Sequence, residues 1–211
     1  MKINKQCIIR LSRYKNALYR LKNLGFVKVF SDNLADAVGS TSAQVRKDFS
    51  LFGISGNRRG GYQMDTLLEK LNNILGKDKL QKTIVAGAGN IGSALIGYRG
   101  FEKEGIDIVA GFDIDSALIN EKAETPIFSL SKLKDFVKHS KIEIGIIAVP
   151  DSAAQEVLDL MVEGGIKGVL NFAPISLRAP EHIVINNVNL GIELENLIYF
   201  VNAVERTGSR E

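Results

Sequence analysis

The chain has 211 residues, 45% hydrophobic and 24% charged, with a net charge of +3, a balance that excludes disorder and suits one large or two small domains. Apolar runs such as residues 144–149 fall far short of the roughly 18 residues of a membrane span, and the opening MKINKQC has no signal-peptide core, so a cytoplasmic protein with no membrane partner is expected. One cysteine, Cys7, and two histidines, His139 and His182, leave no internal disulfide and no metal cluster of Cys/His spacing.

The small net charge conceals an asymmetry. Residues 1–82 hold 16 Lys and Arg against 6 Asp and Glu, a balance of +10, whereas residues 83–211 hold 11 against 18, a balance of −7. A small domain at +10 suits a polyanion, because each phosphate it neutralises releases a counterion; a lysine-rich solvated surface is the plainer alternative.

From Ile8, the apolar positions Ile8, Leu11, Tyr14, Leu18 and Leu21 step by three or four and predict a helix, with Arg10, Arg13, Lys15 and Arg20 on its other faces and Gly25 at its end. A shorter helix follows, capped by Ser31 or Asp32, with Leu34, Ala35 and Val38 inward and Gly39 closing it. Thr41 and Gln44 have capping-box spacing for a third helix whose buried pair is Val45 and Phe49. Its other faces carry Ser42, Gln44, Arg46 and Lys47. Two short helices joined by a glycine turn predict a helix-turn-helix that reads DNA with residues 42–49: Arg and Lys donate to guanine or phosphate, and Gln bonds adenine bidentately. Residues 52–62, FGISGNRRGGY, set four glycines around Arg58 and Arg59 and close on Tyr62, as a wing carrying cations to the duplex does. The alternative is a three-helix bundle whose surface happens to be basic.

In the acidic half, KTIVA predicts a buried strand that runs into Gly87-Ala88-Gly89-Asn90-Ile91-Gly92, followed by a helix over residues 93–103. A second strand over residues 106–112 ends in Asp113, 21 residues after Gly92. Strand, glycine loop, helix and distant acid together form the dinucleotide fingerprint. Gly87 allows the tight turn, Gly89 lets backbone approach a pyrophosphate, Gly92 permits close packing of helix on strand, and the helix start at Asn90 and Ile91 offers N–H groups to phosphates. Asp113 would accept the ribose hydroxyls and repel a 2′-phosphate, so NAD(H) is expected over NADP(H). Further alternation follows through EIGIIAV, a helix near residues 153–163, GVLNF and a strand at residues 182–186, which predicts a parallel, doubly wound Rossmann-type sheet. Val149 and Pro150 lie at the carboxyl edge where such sheets bind ligands, and Tyr98, on the first crossover helix, is either a nicotinamide neighbour or a packing aromatic. No acid, base or nucleophile is placed for chemistry: His139 and His182 read as surface residues and Cys7 as an inert thiol. Leu190, Leu194, Leu197, Ile198, Val201 and Val204 form a wide stripe on a last helix, with Ile192, Tyr199 and Phe200 beside it, too apolar for one side in water. A second subunit is its expected cover, burial between the two domains of one chain the alternative.

Taken together, Arg10-Leu11 before Tyr14, LADAVGSTSAQVRKDFSLFG, GAGNIG before Tyr98, FDID, AVPD, NFAP and the terminal helix resemble the Rex family of bacterial redox-sensing repressors over nearly the whole chain. The resemblance implies a homodimer: a winged-helix domain over 1–80, an NAD(H)-binding domain over 81–188, and a dimerisation helix over 189–211 exchanged between subunits. It implies operator binding at a low NADH/NAD+ ratio and release by NADH. Three positions depart from the family pattern: Arg59 stands where the wing has a glycine, Ser55 where it has an aromatic, and Asn189 where an aspartate pairs with the arginine matching Arg10, leaving Arg10 with a neutral partner in an interdomain switch. The expectation is therefore a metal-free, non-enzymatic repressor of double-stranded operator DNA with NADH/NAD+ as its ligand. The alternatives are a small NAD-dependent oxidoreductase and a subunit that grips CoA or another adenine nucleotide.

Overall fold

The computed structural model describes residues 4–57, 59–77 and 79–208, with side chains through Val204. The chain divides into two compact units, Met1–Lys79 and Leu80–Glu211.

In the first unit, α1 (Lys5–Asn23) starts where the Asn4 side chain accepts from the Gln6 N–H at 2.9 Å and ends before Gly25, which has a φ of +88°. It buries Cys7, Leu11, Tyr14 and Leu18, a spacing of three and four that makes one helical face. A two-residue strand β1 (Lys28–Val29) precedes α2 (Ser31–Val38), and α3 (Ser42–Leu51) follows after Gly39, at φ +65°. The expected caps of α2 are not used. Backbone stays extended through Phe30, so Ser31 and Asp32 already belong to the first turn, and Asn33 reaches back to accept from the Phe30 N–H at 3.0 Å. At α3 the hydroxyl of Thr41 does accept from the Gln44 N–H, at 3.1 Å. The wing returns through an Asn57–Gly61 bridge into β2 (Tyr62–Gln63), which pairs antiparallel with β1, and α4 (Met64–Ile74) then packs on α1. Edge-to-face rings join Tyr14 to Phe49 at 5.6 Å and Phe49 to Tyr62 at 5.2 Å, tying α1, α3 and the wing's return strand into one core.

Two charged side chains are buried in this unit, Lys15 on α1, which the apolar spacing had placed on an outer face, and Asp48 on α3. Asp48, on the inward arc of α3, is 1% exposed and accepts from Arg10 Nε at 2.6 Å and Arg10 Nη2 at 2.7 Å, from Tyr14 Oη at 3.0 Å and, more weakly, from Cys7 Sγ at 3.4 Å. Three of its partners thus come from one face of α1. Among the described residues no buried side-chain nitrogen or oxygen lacks a partner.

The second unit is a six-stranded parallel sheet of β3 (Gln81–Ala86), β4 (Ile106–Asp113), β5 (Ile127–Ser129), β6 (Ile144–Ile147), β7 (Gly168–Asn171) and β8 (Val184–Asn187), in the order β5-β4-β3-β6-β7-β8. Ile84, Ala86, Ala110 and Phe112 face α7 (Leu133–Ser140) and α8 (Asp151–Gly164), whereas Val85, Ile108 and Ile146 face α5 (Asn90–Ile96) and α6 (Gly100–Lys103). Helices on both faces give the central strands continuous apolar stretches, such as residues 84–86 in β3 and 146–147 in β6. Strand order reverses between β3 and β6, and the carboxyl edge at such a point is where open sheets bind ligands.

The single helix expected over residues 93–103 is two. Gly97 ends α5, Tyr98 and Arg99 occupy a turn, and Gly100 opens α6 where a Cβ would fall 2.4 Å from the Tyr98 ring. Two glycines within four residues remove the propensity that would carry a helix through, so Tyr98 stands on a turn rather than on a crossover helix. α9 (Leu190–Gly208) follows β8 and exposes Leu190, Ile192, Leu194, Leu197, Ile198, Tyr199, Phe200, Val201 and Val204.

The buried carboxylate has a consequence in acid. Burial pushes the Asp48 carboxyl upward, but the Arg10 guanidinium and the donors of Gln44, Cys7 and Tyr14 outweigh it and hold the group below its ordinary value. A carboxyl depressed in the folded state stabilises fully above its unfolded pKa of about 3.9 and loses that contribution as pH falls through the lower folded value. Hydrogen exchange of α3 amides is expected to accelerate across that acid window in the native chain. Asp48→Asn is expected to exchange faster at neutral pH and to lose the acid limb; an unchanged limb in the variant would mean that another group governs it.

Candidate functional site

Opposite its buried arc of Val45, Asp48 and Phe49, helix α3 exposes Arg46 and Lys47 and half-exposes Ser42 and Gln44. Arg46 faces a hollow of about 590 Å³ floored by Phe30, Ser31, Gly61 and Tyr62. In the wing, the Arg59 N–H donates to Asn57 Oδ1 at 2.9 Å while its side chain is exposed; Arg58 lies outside the described residues. Tyr62 is half-buried against Phe49, and a Cβ at Gly56 would fall 2.6 Å from its ring, so much of the ring supports the wing from beneath. Among the described residues, no carboxylate pairs with Arg46, Lys47 or Arg59, which leaves three cations on one unit for an anion outside it. Gln44 is different: its Nε2 donates to Asp48 Oδ1 at 2.8 Å.

Arg10, expected in an interdomain switch, is engaged by Asp48 within its own unit, and the hydrogen bonds it donates to that carboxylate, against some loss from burial, raise its pKa further. Asn189 caps α9, where its Oδ1 accepts from the Ile192 N–H at 3.2 Å. Asp48 was not among the candidates read from the sequence. The signal was present in its spacing with Val45 and Phe49, i+3 and i+4 on the buried arc, but the neighbouring Arg46 and Lys47 make the three look like a solvated run.

At the other unit's carboxyl edge, the glycine loop leaves β3 with Gly87 at φ +92°, where a Cβ would meet the Ala148 carbonyl oxygen at 2.3 Å and Val149 Cγ1 at 2.9 Å. A Cβ at Gly92 would lie 1.7 Å from the Gly87 oxygen, so only glycine lets α5 start this close to its strand. At Gly89 the Cβ position has nothing within 4 Å. The loop is therefore tight on its inner side and open at Gly89, where Asn90 and Ile91 are also exposed. Asp113, at the end of β4, accepts from the Ala88 N–H through Oδ2 at 2.6 Å and from the Asp115 N–H through Oδ1 at 2.9 Å. The acid thus shapes the loop, and each oxygen keeps a lone pair for an outside hydroxyl. Val149 is half-buried and Pro150 exposed where β6 leaves the sheet. Tyr98 is 59% exposed and packs edge-on against Phe101 at 5.0 Å. An open glycine loop, an acceptor carboxylate and apolar neighbours fit a dinucleotide. Among the described residues no group of His, Cys, Asp and Glu is placed to hold a metal ion, and no helix is long and apolar enough to cross a membrane.

Comparison with known proteins follows the same division. Residues 2–50 match the family described as putative DNA-binding protein N-terminus, and residues 78–175 match the CoA binding domain. The redox-sensing transcriptional repressor Rex of Carboxydothermus hydrogenoformans is 43% identical over 94% of this chain and 96% of its own, and that of Oenococcus oeni 39% identical over 95% and 93%. Among solved structures, RSP, a Rex-family repressor, in complex with β-NAD+ and operator DNA superposes with a TM-score of 0.91 at 34% identity, covering 99% of this chain and 97% of that one. RSP in complex with β-NADH gives a TM-score of 0.87 at 34% identity, with both chains covered completely. At such identity over nearly the full length of both chains, this protein belongs to the Rex family of redox-sensing transcriptional repressors.

Proposed function

We propose that the chain is a transcriptional repressor, not an enzyme, that binds operator DNA at a low NADH/NAD+ ratio and is released when NADH occupies the glycine loop. One observation carries the reading: a single chain joins a reading helix with uncommitted cations to an open dinucleotide loop, and its relative RSP has been solved with β-NAD+ and operator DNA and with β-NADH. A repressor of chromosomal operators works in the cytoplasm.

On the DNA side, Arg46, Lys47 and Arg59, with Arg58 beside it in sequence, are the donors for phosphates or guanine edges, and Ser42 and Gln44 begin the helix whose N-terminal residues reach bases. On the ligand side, Gly87 and Gly92 shape the loop, Gly89, Asn90 and Ile91 line its open rim, and Asp113 accepts ribose hydroxyls and repels a 2′-phosphate. When bound, the nicotinamide supplies the signal, because its oxidised ring is a cation and its reduced ring is neutral. An aromatic neighbour such as Tyr98, with Val149 and Pro150, favours the neutral ring, since burial of an unpaired charge is costly. The exposed stripe of α9 supports a homodimer in which a second copy of the chain covers that helix. Linkage then requires that DNA weaken NADH binding by the factor by which NADH weakens DNA binding.

Replacing Lys47 with Ala is expected to weaken operator binding by about 1 to 3 kcal/mol if Lys47 reads a base, or to lower the salt slope by about one if it meets a phosphate, with NADH affinity untouched. Fluorescence anisotropy of labelled duplex across a salt series measures both, and native affinity and slope would remove Lys47 from the interface. Asp113→Ser is expected to weaken NADH binding, read by calorimetry, and to narrow the gap to NADPH, because the ribose acceptor, the repelling charge and the Ala88 anchor go together. An unchanged NADH affinity would place the ribose elsewhere; tighter binding of CoA than of NADH by the native chain would favour the adenine-nucleotide reading. Truncation before residue 190 is expected to give monomer or aggregate by light scattering and to abolish tight binding to a two-fold operator; a truncated dimer that still releases DNA on adding NADH would rule out α9 as the clamp.

A further inference from the structure

The buried carboxylate that joins α1 to α3 also touches one side chain on the DNA-facing part of the reading helix. Gln44 lies one turn before Asp48, half-exposed at the start of α3, and its Nε2 is 2.8 Å from Asp48 Oδ1. That oxygen also accepts from Arg10 Nη2, and the Arg10 guanidinium neutralises the carboxylate and fixes its plane. An ionised carboxylate only accepts hydrogen bonds, whereas the two ends of a glutamine amide are opposite in kind. Turning Gln44 over would set its carbonyl oxygen against Asp48 in a nearly dry site and leave two acceptors facing each other. The amide nitrogen must therefore face inward, and the oxygen is left to face out. A glutamine on an exposed helix without such a neighbour can lead with either end, and so accepts either a donor or an acceptor on a base.

We infer that Asp48 is a specificity-positioning residue: through the bond to Nε2 it holds Gln44 with Oε1 leading, so that each half-site is selected, at one base pair, for an exocyclic amino group in the major groove. Adenine N6 and cytosine N4 are such donors; guanine O6 and thymine O4 are acceptors and face Oε1 unfavourably. Adenine is the better partner, because the second amide hydrogen of Gln44 remains for its N7. The inference rests on the proposed DNA-binding function and adds to it which side of the amide reads and what sets that side. Asp48 itself touches no base. It acts through Gln44, and a purely structural latch between α1 and α3 would weaken every DNA sequence alike.

The test is selection of duplexes from a random pool by the full-length native chain, followed by affinity measurements on single-base variants of the selected site. The native chain is expected to prefer an amino-bearing base at one position per half-site by about tenfold, within the range of one base-pair contact. Gln44→Ala is expected to lose discrimination at that position alone. Asp48→Asn, whose amide can donate as well as accept, frees Gln44 to turn and is expected to flatten the preference at that same position, whatever it does to overall affinity, while the ranking at other positions holds. Equal weakening of all sequences by Asp48→Asn, with the native ratios kept, would overturn the inference, as would a native preference profile in Gln44→Ala. A measurement on the unaltered chain covers the case in which Asp48→Asn fails to fold: one of the two Gln44 side-chain amide protons is expected to be protected from exchange and to shift as Asp48 titrates, and two freely exchanging protons would overturn it. If the native chain enriches no duplex at all, the DNA-binding function falls and the inference with it, an outcome distinct from enrichment whose profile ignores Gln44.

Discussion

A carboxylate taken out of water has to be met by donors on every side, and the first unit is organised around doing so for Asp48. Removing an ion from water costs several kcal/mol even after relaxation, and a partner lost from a buried pair leaves that cost uncompensated. Here Arg10, Tyr14 and Cys7 come from one face of α1 and Gln44 from α3 itself. Satisfying all of them at once leaves little freedom in how α3 lies against α1. Apolar contacts between Leu11, Val45 and Phe49 hold the helices together but tolerate small slides; the hydrogen bonds do not, because their directions are fixed. A helix that must enter a groove with its side chains in register gains more from that kind of constraint than from additional area.

The second unit meets an analogous need with backbone. On the proposed function its loop brings main chain to a ligand at the sheet's edge; the missing side chains at Gly87 and Gly92 let the loop pack tightly, and Asp113 fixes its shape through the Ala88 N–H. In both units, then, an acidic side chain anchors the functional segment rather than standing alone as a contact. In the first unit the anchor is hidden; in the second it is half-exposed and so can also receive the ligand.

Much of this was legible in the sequence because the signals were local. Capping of α3 by Thr41, the left-handed Gly39 and the strand–loop–helix–strand–acid order each occupy a short window with its own spacing, and each is found in place. Where signals were averaged or absent, the expectations went astray or were missing. Composition over residues 93–103 is helical on average, yet Gly97 and Gly100 divide it and move Tyr98 onto a turn. β1 has two residues, too few for any period, and α4 begins at Met64 directly after Gln63, which gives it no side-chain cap to announce it. Asp48 was hidden for another reason: its partners Cys7, Arg10 and Tyr14 are 34 to 41 residues away, and no window of sequence joins them.

On the proposed function the dinucleotide sits at the glycine loop; because Asp113 already holds that loop, the ligand need not order it, and little conformational entropy opposes binding there. A preformed loop of this kind makes no distinction between the two oxidation states at its phosphates and ribose, so both states compete for the same groups. When the total pool exceeds both dissociation constants, the loop is never empty, and the fraction holding the reduced form depends on the quotient of the two concentrations and not on their sum. The chain then behaves as a potentiometer rather than a concentration gauge: growth or shrinkage of the cell's cofactor supply leaves its reading unchanged, and only electron pressure moves it.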